Sequence, residues 1–434
     1  MFFIIFLIAI TWEYRAGAPA SRTYPAIGDV TATNTSGHAC IYVIGGQSAT
    51  NQTTTNYEYD CVSNSWTTKA QMPAPARYDF AGGHASRGGV ERIYVFGGYQ
   101  SVYIYLTDVD EYTPSTNTWT SRADMPTQRE GVRTGCIGNM IYAIGGDYFD
   151  LNNFQDYVYD IVERYDPETN TWTTGYASMP TPRTDACCAV ATNESGDSCI
   201  YVFGGSTSIL GYVATNAVEE YDPVTNTWRV RSGSGFTGRG GAMAVTDMNN
   251  LIYVIGGTSN GSSSLNLVQV YNPVTNTWSS ETAIQTTRDG VTGGMAGDIG
   301  GHIHVVVGSN GATPLNTNER SAEIVNIKEI TGLAPDNSLI EIDPNPFAKS
   351  TGIRFVIGPG AEGKEQSAKG IMLEIYDVSG KMVYAFPYIT QYALRSTLVW
   401  SGADQTGRQV PNGVYFLQAT TADQTIIEKI VKIK

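Results

Sequence analysis

Residues 109–129 read VDEYTPSTNTWTSRADMPTQR. A short apolar–polar run leads into a Pro-x-x-Asn-Thr corner and returns through a tryptophan. Proline presets φ for a tight turn, and Asn or Thr closes it with side-chain hydrogen bonds. The stretch predicts two short antiparallel strands joined by that turn. The same element recurs as YEYDCVSNSW (57–66), VERYDPETNTW (162–172), VEEYDPVTNTW (218–228) and VQVYNPVTNTW (268–278). Before each copy stands an apolar run closed by two glycines: IYVIGG (41–46), IYVFGG (93–98), IYAIGG (141–146), IYVFGG (200–205) and IYVIGG (252–257). A degenerate sixth run is IHVVVGS (303–309), with no Trp corner before residue 335.

The first glycines of these runs, Gly45, Gly97, Gly145, Gly204, Gly256 and Gly308, are 52, 48, 59, 52 and 52 residues apart. A fixed period of this size marks a repeat architecture. An IYVIGG run is apolar on both faces, as in a strand covered by a sheet on each side. Each copy then holds about four short strands, in a twisted sheet that cannot bury both faces alone. Copies stacked in a ring remove the problem.

Residues 11–22, TWEYRAGAPASR, share T-W-x-x-R-A-x-x-P-x-x-R with residues 118–129. They form the end of a repeat with no repeat in front of it. The sixth copy lacks that end: its inner strand is expected near Asp289–Gly297, its second at Ile303–Gly308 and its third near Ala322–Ile327. Thr11–Ala20 is therefore expected to supply its outer strand, which would leave no exposed sheet edge at the seam.

The double glycine followed by separated Tyr and Trp resembles the kelch family, over roughly residues 11–330. The resemblance implies an all-β fold, a six-bladed kelch β-propeller over residues 11–332. Residues 333–341 read as a linker. Residues 342–434 alternate apolar positions with Gly/Asn turns, as expected of a small β-sandwich. Asn345-Pro346-Phe347, Gly380, the Trp400…Gly407 turn, Gly413-Val414-Tyr415 and the terminal KIVKIK resemble the C-terminal sorting domains of type IX secretion and the immunoglobulin-like domain of flagellar hook-assembly proteins. That resemblance implies an Ig-like sorting domain, a secretion-machinery partner acting through residues 342–434, and a secreted or cell-surface location. Met1–Ile10 is apolar like part of an export signal and too short to span a bilayer.

The chain has 434 residues, 47 Gly and 27 Tyr, is 41% hydrophobic and 16% charged, and carries a formal charge of −14. Residues 335–434 hold ten basic and ten acidic residues, so the preceding part carries the whole −14. Such a surface repels phosphate backbones and argues against a nucleic-acid partner.

Arg22, Arg77, Arg129, Arg183, Arg239 and Arg288 occupy one position in all six copies, just before the inner strand. They are expected to converge as an arginine ring at the channel mouth. In some kelch proteins the matching arginines help to bind acidic peptides. For any single arginine, a bidentate bridge between neighbouring blades is the plainer reading. For the face as a whole, binding of a carbohydrate or protein ligand is expected, because propeller loops converge there. Asp79, Glu130, Asp185 and Asp289 stand one or two residues from these arginines and would neutralise part of their charge. The sequence shows no phosphate loop, G-x-S-x-G or H-E-x-x-H, so no cofactor, metal or catalytic residue is expected. A secreted sugar epimerase or oxidase on the same propeller is the enzymatic alternative. A structural surface protein without a specific ligand is the third. Cys40 and Cys61, at the ends of adjacent strands, are placed for a disulfide. The loop at 145–156 is rich in Asp and Asn without matching a calcium loop, and His302 and His304 share a strand face.

Overall fold

The computed structural model describes residues 10–101, 103–296 and 301–322, and in the C-terminal part 338–343, 351–357, 372–377, 381–386, 398–405, 408–420 and 425–432. The chain forms two compact units, one within residues 9–324 and one within 325–434. Among the described residues all regular structure is β.

Among the described residues the first unit holds six sheets of four or five strands and two two-stranded ribbons, in a propeller-like arrangement. In one of them Ala81–Arg87, Val90–Phe96, Val109–Thr113 and Thr118–Ser121 pair in chain order. Ile93, Tyr94, Val95 and Phe96 are fully buried, which explains why this strand lacks a polar face. Tyr112 and Trp119 are cross-strand partners with ring centroids 5.0 Å apart.

The Asn-Thr-Trp corner, Asn-Ser-Trp in the first copy, fastens five of the sheets to the chain leaving the previous one. Asn117, at φ +55°, takes the Tyr112 hydroxyl at 2.9 Å and the Ala70 amide at 2.7 Å on its side-chain oxygen. Trp119 Nε1 donates to the carbonyl of that same Ala70 at 2.8 Å. Asparagine tolerates the left-handed region and brings an acceptor with it, which explains the residue type. Asn64 with Trp66, Asn170 with Trp172, Asn226 with Trp228 and Asn276 with Trp278 repeat the clamp on Ala16, Ala123, Ala177 and Ser232.

In the remaining sheet Trp12–Arg15 pairs antiparallel with Asn318–Ser321, beside His302–Val306 and Thr292–Ala296. Trp12 is buried, and its Nε1 donates to the Thr282 carbonyl at 2.9 Å, as the five corner tryptophans do to their own linkers. The third strand of this sheet is Asn318–Ser321, a few residues before the expected Ala322–Ile327, whose residues 323–327 lie outside the described ones. Its sequence, NERS, is polar, yet Asn318 and Glu319 are fully buried. Glu319 accepts from Arg288 and from the amides of Gln285 and Thr286, which keeps a charged residue inside a sheet.

Six backbone hydrogen bonds form a closed cycle about the axis. The amide of Asp79 donates to Tyr24 O, Gly131 to Asp79 O, Asp185 to Gly131 O, Gly241 to Asp185 O, Gly290 to Gly241 O and Tyr24 to Gly290 O, at 2.8–3.3 Å. Each repeat contributes one residue, two places after its arginine, and all six have φ between +47° and +64°. Just inside, Ile27–Gly28 pairs parallel with the inner strand of the next repeat. Any side chain at Gly28 would meet the Gly82 carbonyl, 2.1 Å from an added Cβ.

The second unit has a sheet of Ser338–Asp343, Thr351–Ile357 and Leu398–Trp400, and a sheet of Met382–Ala385, Met372–Asp377, Gly413–Thr420 and Thr425–Lys432. The first of these strands begins inside the expected 333–341 linker. Trp400 of one sheet meets Tyr415 of the other with ring centroids 5.2 Å apart. Lys432 of KIVKIK donates to Gly402 O, Val410 O and Gln409 Oε1 at 2.7–3.0 Å, capping the turn after Trp400. Residues 1–9, Asn345-Pro346-Phe347, Gly380 and Gly407 lie outside the described residues.

Candidate functional site on the loop face

The arginine ring is not a ligand surface. Arg77, Arg129, Arg183, Arg239 and Arg288 are at most 1% exposed, and Arg22 is 5% exposed. Each guanidinium turns into its own sheet, toward the second residue of the third strand. Arg77 pairs with Asp110 at 2.5 Å, Arg129 with Glu163 at 2.6 Å, Arg183 with Glu219 at 3.0 Å and Arg288 with Glu319. Arg239 donates to the amide oxygen of Gln269 at 2.5 Å, and burial pulls its pKa down to about 10. Arg22 lies 5.7 Å from the ring of Tyr57 and donates to Thr55. Backbone carbonyls such as Val202 O and Val254 O take further donors. The six arginines are therefore staples within each sheet, neither a mouth ring nor bridges between sheets.

What remains at the axis is acidic. Arg133, from the third repeat's inner strand, donates to Asp79 at 3.2 Å and Asp185 at 3.1 Å, and to the carbonyls of Val132 and Ala186. Glu130 and Asp147 face each other across a backbone bridge beside this trio. The Thr184 hydroxyl donates to Asp147 Oδ1 at 2.5 Å, while the buried Asp147 Oδ2 has no partner among the described residues. Of these four carboxylates, Asp79 and Asp185 bond the guanidinium. Burial, then repulsion from Asp79, Asp147 and Asp185, raises the pKa of Glu130 well above the usual carboxylate range. Burial and Asp79 do the same to Asp185. Burial outweighs the Thr184 hydrogen bond at Asp147 and pushes it up to about 7. Tyr24 and Tyr212 lie beside the same acids, and burial with Asp185 and Asp79 raises the pKa of both. The space for them exists because Gly240, Gly241 and Gly290 lack side chains: an added Cβ at Gly240 would sit 2.1 Å from the Tyr212 hydroxyl.

Six loops following the glycine runs surround this pit: 47–55, 99–107, 147–160, 206–217, 258–267 and 309–317. They contain no Lys, Arg or His, four Asp and nine aromatic residues; the rest is mostly Ser, Thr, Asn, Gln and Gly. Eight of the nine aromatics lie in 99–107 and 147–160. Their rings form a path outward from the pit: Tyr78 to Tyr99 at 5.5 Å, Tyr99 to Tyr105 at 5.1 Å and Tyr105 to Tyr148 at 5.0 Å. Tyr103, Phe149 and Phe154 make a second chain, with centroids 5.7 and 6.5 Å apart. Phe154 is 78% exposed and Tyr103 49%. Along the axis the inner strands line a narrow space, partly open to solvent, bordered by Gly28, Arg133, Thr134, Cys188, Ala244 and Thr292.

Other expected residues have structural roles. Cys40 faces Asp60 and Cys61 is the next residue; both are buried, and the structure holds them as thiols, with Cys40 Sγ turned to the His38 carbonyl at 3.5 Å. The expected disulfide is therefore not formed in this structure. Asp150 of the 145–156 loop caps a turn through the Asn152 amide and Asn153 Nδ2, as a solvated turn does. His304 is fully buried beside Tyr59 and bonded to Asn318, and burial lowers its pKa to about 3. A neutral imidazole fixed between sheets, with His302 Nδ1 engaged by Ser321 O, leaves no open ligand pair.

Comparison with known proteins agrees with this architecture. Residues 18–196 match the KLHDC2/KLHL20/DRC7 Kelch-repeats domain, and residues 187–233 and 241–282 match the Kelch motif. Kelch-like protein 35 of Mus musculus is 32% identical over 200 residues, 46% of this chain and 30% of that protein. Beta-scruin of Limulus polyphemus is 27% identical over 237 residues, 52% of this chain and 24% of that protein. The chain thus spans about a quarter to a third of these relatives. The solved structure of YjhT superposes with a TM-score of 0.54 at 18% identity, covering 70% of this chain and 96% of that one, a likeness of fold.

Proposed function

We propose, from the match of residues 18–233 and 241–282 to kelch-repeat models, that the first unit is a six-bladed propeller, sealed by Trp12–Arg15, whose loop face binds a protein partner. One observation carries the reading: the six loops on that face hold aromatics, hydroxyls and amides but no Lys, Arg or His, with Phe154 and Tyr103 largely exposed. Binding loops of antibodies rely on the same types, because Tyr gives wide contact at low entropic cost and Ser, Asn and Gly adapt their hydrogen bonds. Rigid sheets behind the loops reduce the ordering cost on association. A carbohydrate is the second reading, favoured by the flat exposed faces of Phe154 and Tyr157 beside Asp150 and Asp156. No catalytic set is proposed.

The second unit is proposed to act as a sorting domain that delivers the chain to the cell surface or medium. Trp400, Tyr415 and the Lys432 cap support it as a folded module, which a recognition signal of this kind requires.

Peptide display and a glycan array, each run on the full chain and on a Tyr103→Ala/Phe154→Ala variant, test the binding reading. Ligands retained by the parent and lost by the variant support it; ligands indifferent to the variant refute it. For sorting, residues 325–434 fused to a reporter in a type IX-competent host should reach the medium. Retention of the fusion refutes that role.

A further inference from the structure

The axial pit is short of positive charge. Asp79, Glu130, Asp147 and Asp185 lie together, and the guanidinium of Arg133, 2% exposed, bonds two of them. Its side-chain bonds to acids go to Asp79 and Asp185; Glu130 and Asp147 feel its charge but have no cation bonded to them among the described residues. Asp147 is 3% exposed, and its Oδ2 is a buried acceptor with no donor among the described residues. A buried carboxylate oxygen left unbonded is costly, and a nearby positive donor removes the cost. The flanking walls are aromatic: Tyr78 next to Asp79, then Tyr99, Tyr105 and Tyr148. Aromatic faces attract organic cations at short range. Among the described residues no three of His, Cys, Asp and Glu are placed to share a metal ion, so the geometry favours an organic cation over a bare one.

We propose that this pit receives the guanidinium or ammonium head of an arginine or lysine side chain presented by a protein partner, while the Tyr103–Phe149–Phe154 ridge takes an apolar neighbour of that residue. The proposal rests on the loop-face reading and names its ligand. The head group would reach Glu130 and Asp147 past Tyr78 and Tyr105, forming charge-assisted hydrogen bonds in a partly desolvated site. The absence of Lys, Arg and His from all six loops removes the competitor that would otherwise fill the pit from within. Groups facing Glu130 and Asp147 are Asp79, Asp156, Asp185 and Arg133, with Tyr78 and Tyr105 beside them. At pH 6 the Asp147 carboxyl, raised to about 7, is largely protonated and accepts a cation poorly. Affinity should therefore fall from pH 8 to pH 6.

The test is selection of random 12-residue peptides on the full chain, followed by anisotropy titration of labelled winners. The expected winners carry Arg or Lys beside an apolar residue. Replacing that basic residue by alanine, or using Glu130→Gln/Asp147→Asn protein, should weaken binding at least tenfold. The two substitutions are isosteric and relieve repulsion, so the variant's melting temperature should not fall. A scrambled peptide of equal charge should bind at least tenfold more weakly, which excludes general attraction to the −14 chain. Winners lost in Tyr103→Ala/Phe154→Ala but unaffected by Glu130→Gln/Asp147→Asn would overturn the cation receptor and leave the loop-face reading intact. Winners indifferent to both variants would overturn the face reading itself. Equal binding of the scrambled peptide would also overturn the proposal.

Discussion

Arg129 is fully buried, with Glu163 at 2.6 Å and the Thr127 carbonyl at 3.0 Å as its fixed partners. Removing one member of a buried pair leaves the other charge unpaired, which costs about 3–5 kcal/mol. Arg129→Met and Glu163→Leu are each expected to lower stability by that order in denaturant unfolding, and the double variant by less than their sum. Glu163→Gln should be milder, about 1 kcal/mol, because the fifth repeat already opposes Arg239 with neutral Gln269. The arginine column was legible in the sequence, and so was the acidic column VDEY, VERY, VEEY. The direction of each side chain was not. A period of about 50 residues aligns columns; it does not say whether an arginine at the head of a strand points to the axis or back along its own sheet. The same gap explains Cys40 and Cys61: adjacency in register was readable, the turn of the Cys40 sulfur toward His38 was not.

Trp12–Arg15 shows what one strand does for the ring. Trp12 hides its indole among Ile255, Val268, Ile284 and Ile303 and bonds Thr282, and Gln285 Nε2 donates to its carbonyl at 2.6 Å. Truncating a large buried aromatic costs about 3–5 kcal/mol. Trp12→Ala should lower the melting temperature of the first unit by that equivalent while leaving the melting of the second unit in place, as read by calorimetry. Deletion through Arg15 should do more. It strips the partner from Asn318–Ser321, and an open strand edge pairs with other chains, so light scattering at low micromolar concentration should rise. Trp12 was readable because its role repeats five times downstream. Its partner strand was harder, since NERS is polar and buried charge is visible only once Arg288 is placed against Glu319.

At the scale of the whole molecule, the proposed site gathers where no local stretch could announce it. Asp79, Glu130, Asp147 and Asp185 come from three successive repeats and are brought together by the ring of axial hydrogen bonds. In the sequence Asp79, Glu130 and Asp185 stand beside arginines and look neutralised by them; in space the arginines leave for their sheets and these acids stay, joined by Asp147. The loops proposed as the binding face were legible through their position after the glycine runs, but the pit required closure of the circle. That closure has a consequence for pH. Asp147 titrates near 7 in the folded chain because burial and Asp79 disfavour its ionised form, against about 3.9 for an unfolded aspartate. Between those values the folded state holds more protons than the unfolded one, so this group's contribution to stability falls as pH rises from about 4 to about 7. Glu130 and Asp185 are shifted in the same direction. Asp147→Asn removes the ionisation yet keeps an oxygen for the Thr184 hydroxyl. The variant should match the parent near pH 4 and exceed it at pH 8 by about 1–3 kcal/mol, measured as the difference in unfolding midpoint across that range. An equal difference at both ends would mean that Asp147 keeps an ordinary pKa and that the axial pit holds no strained charge.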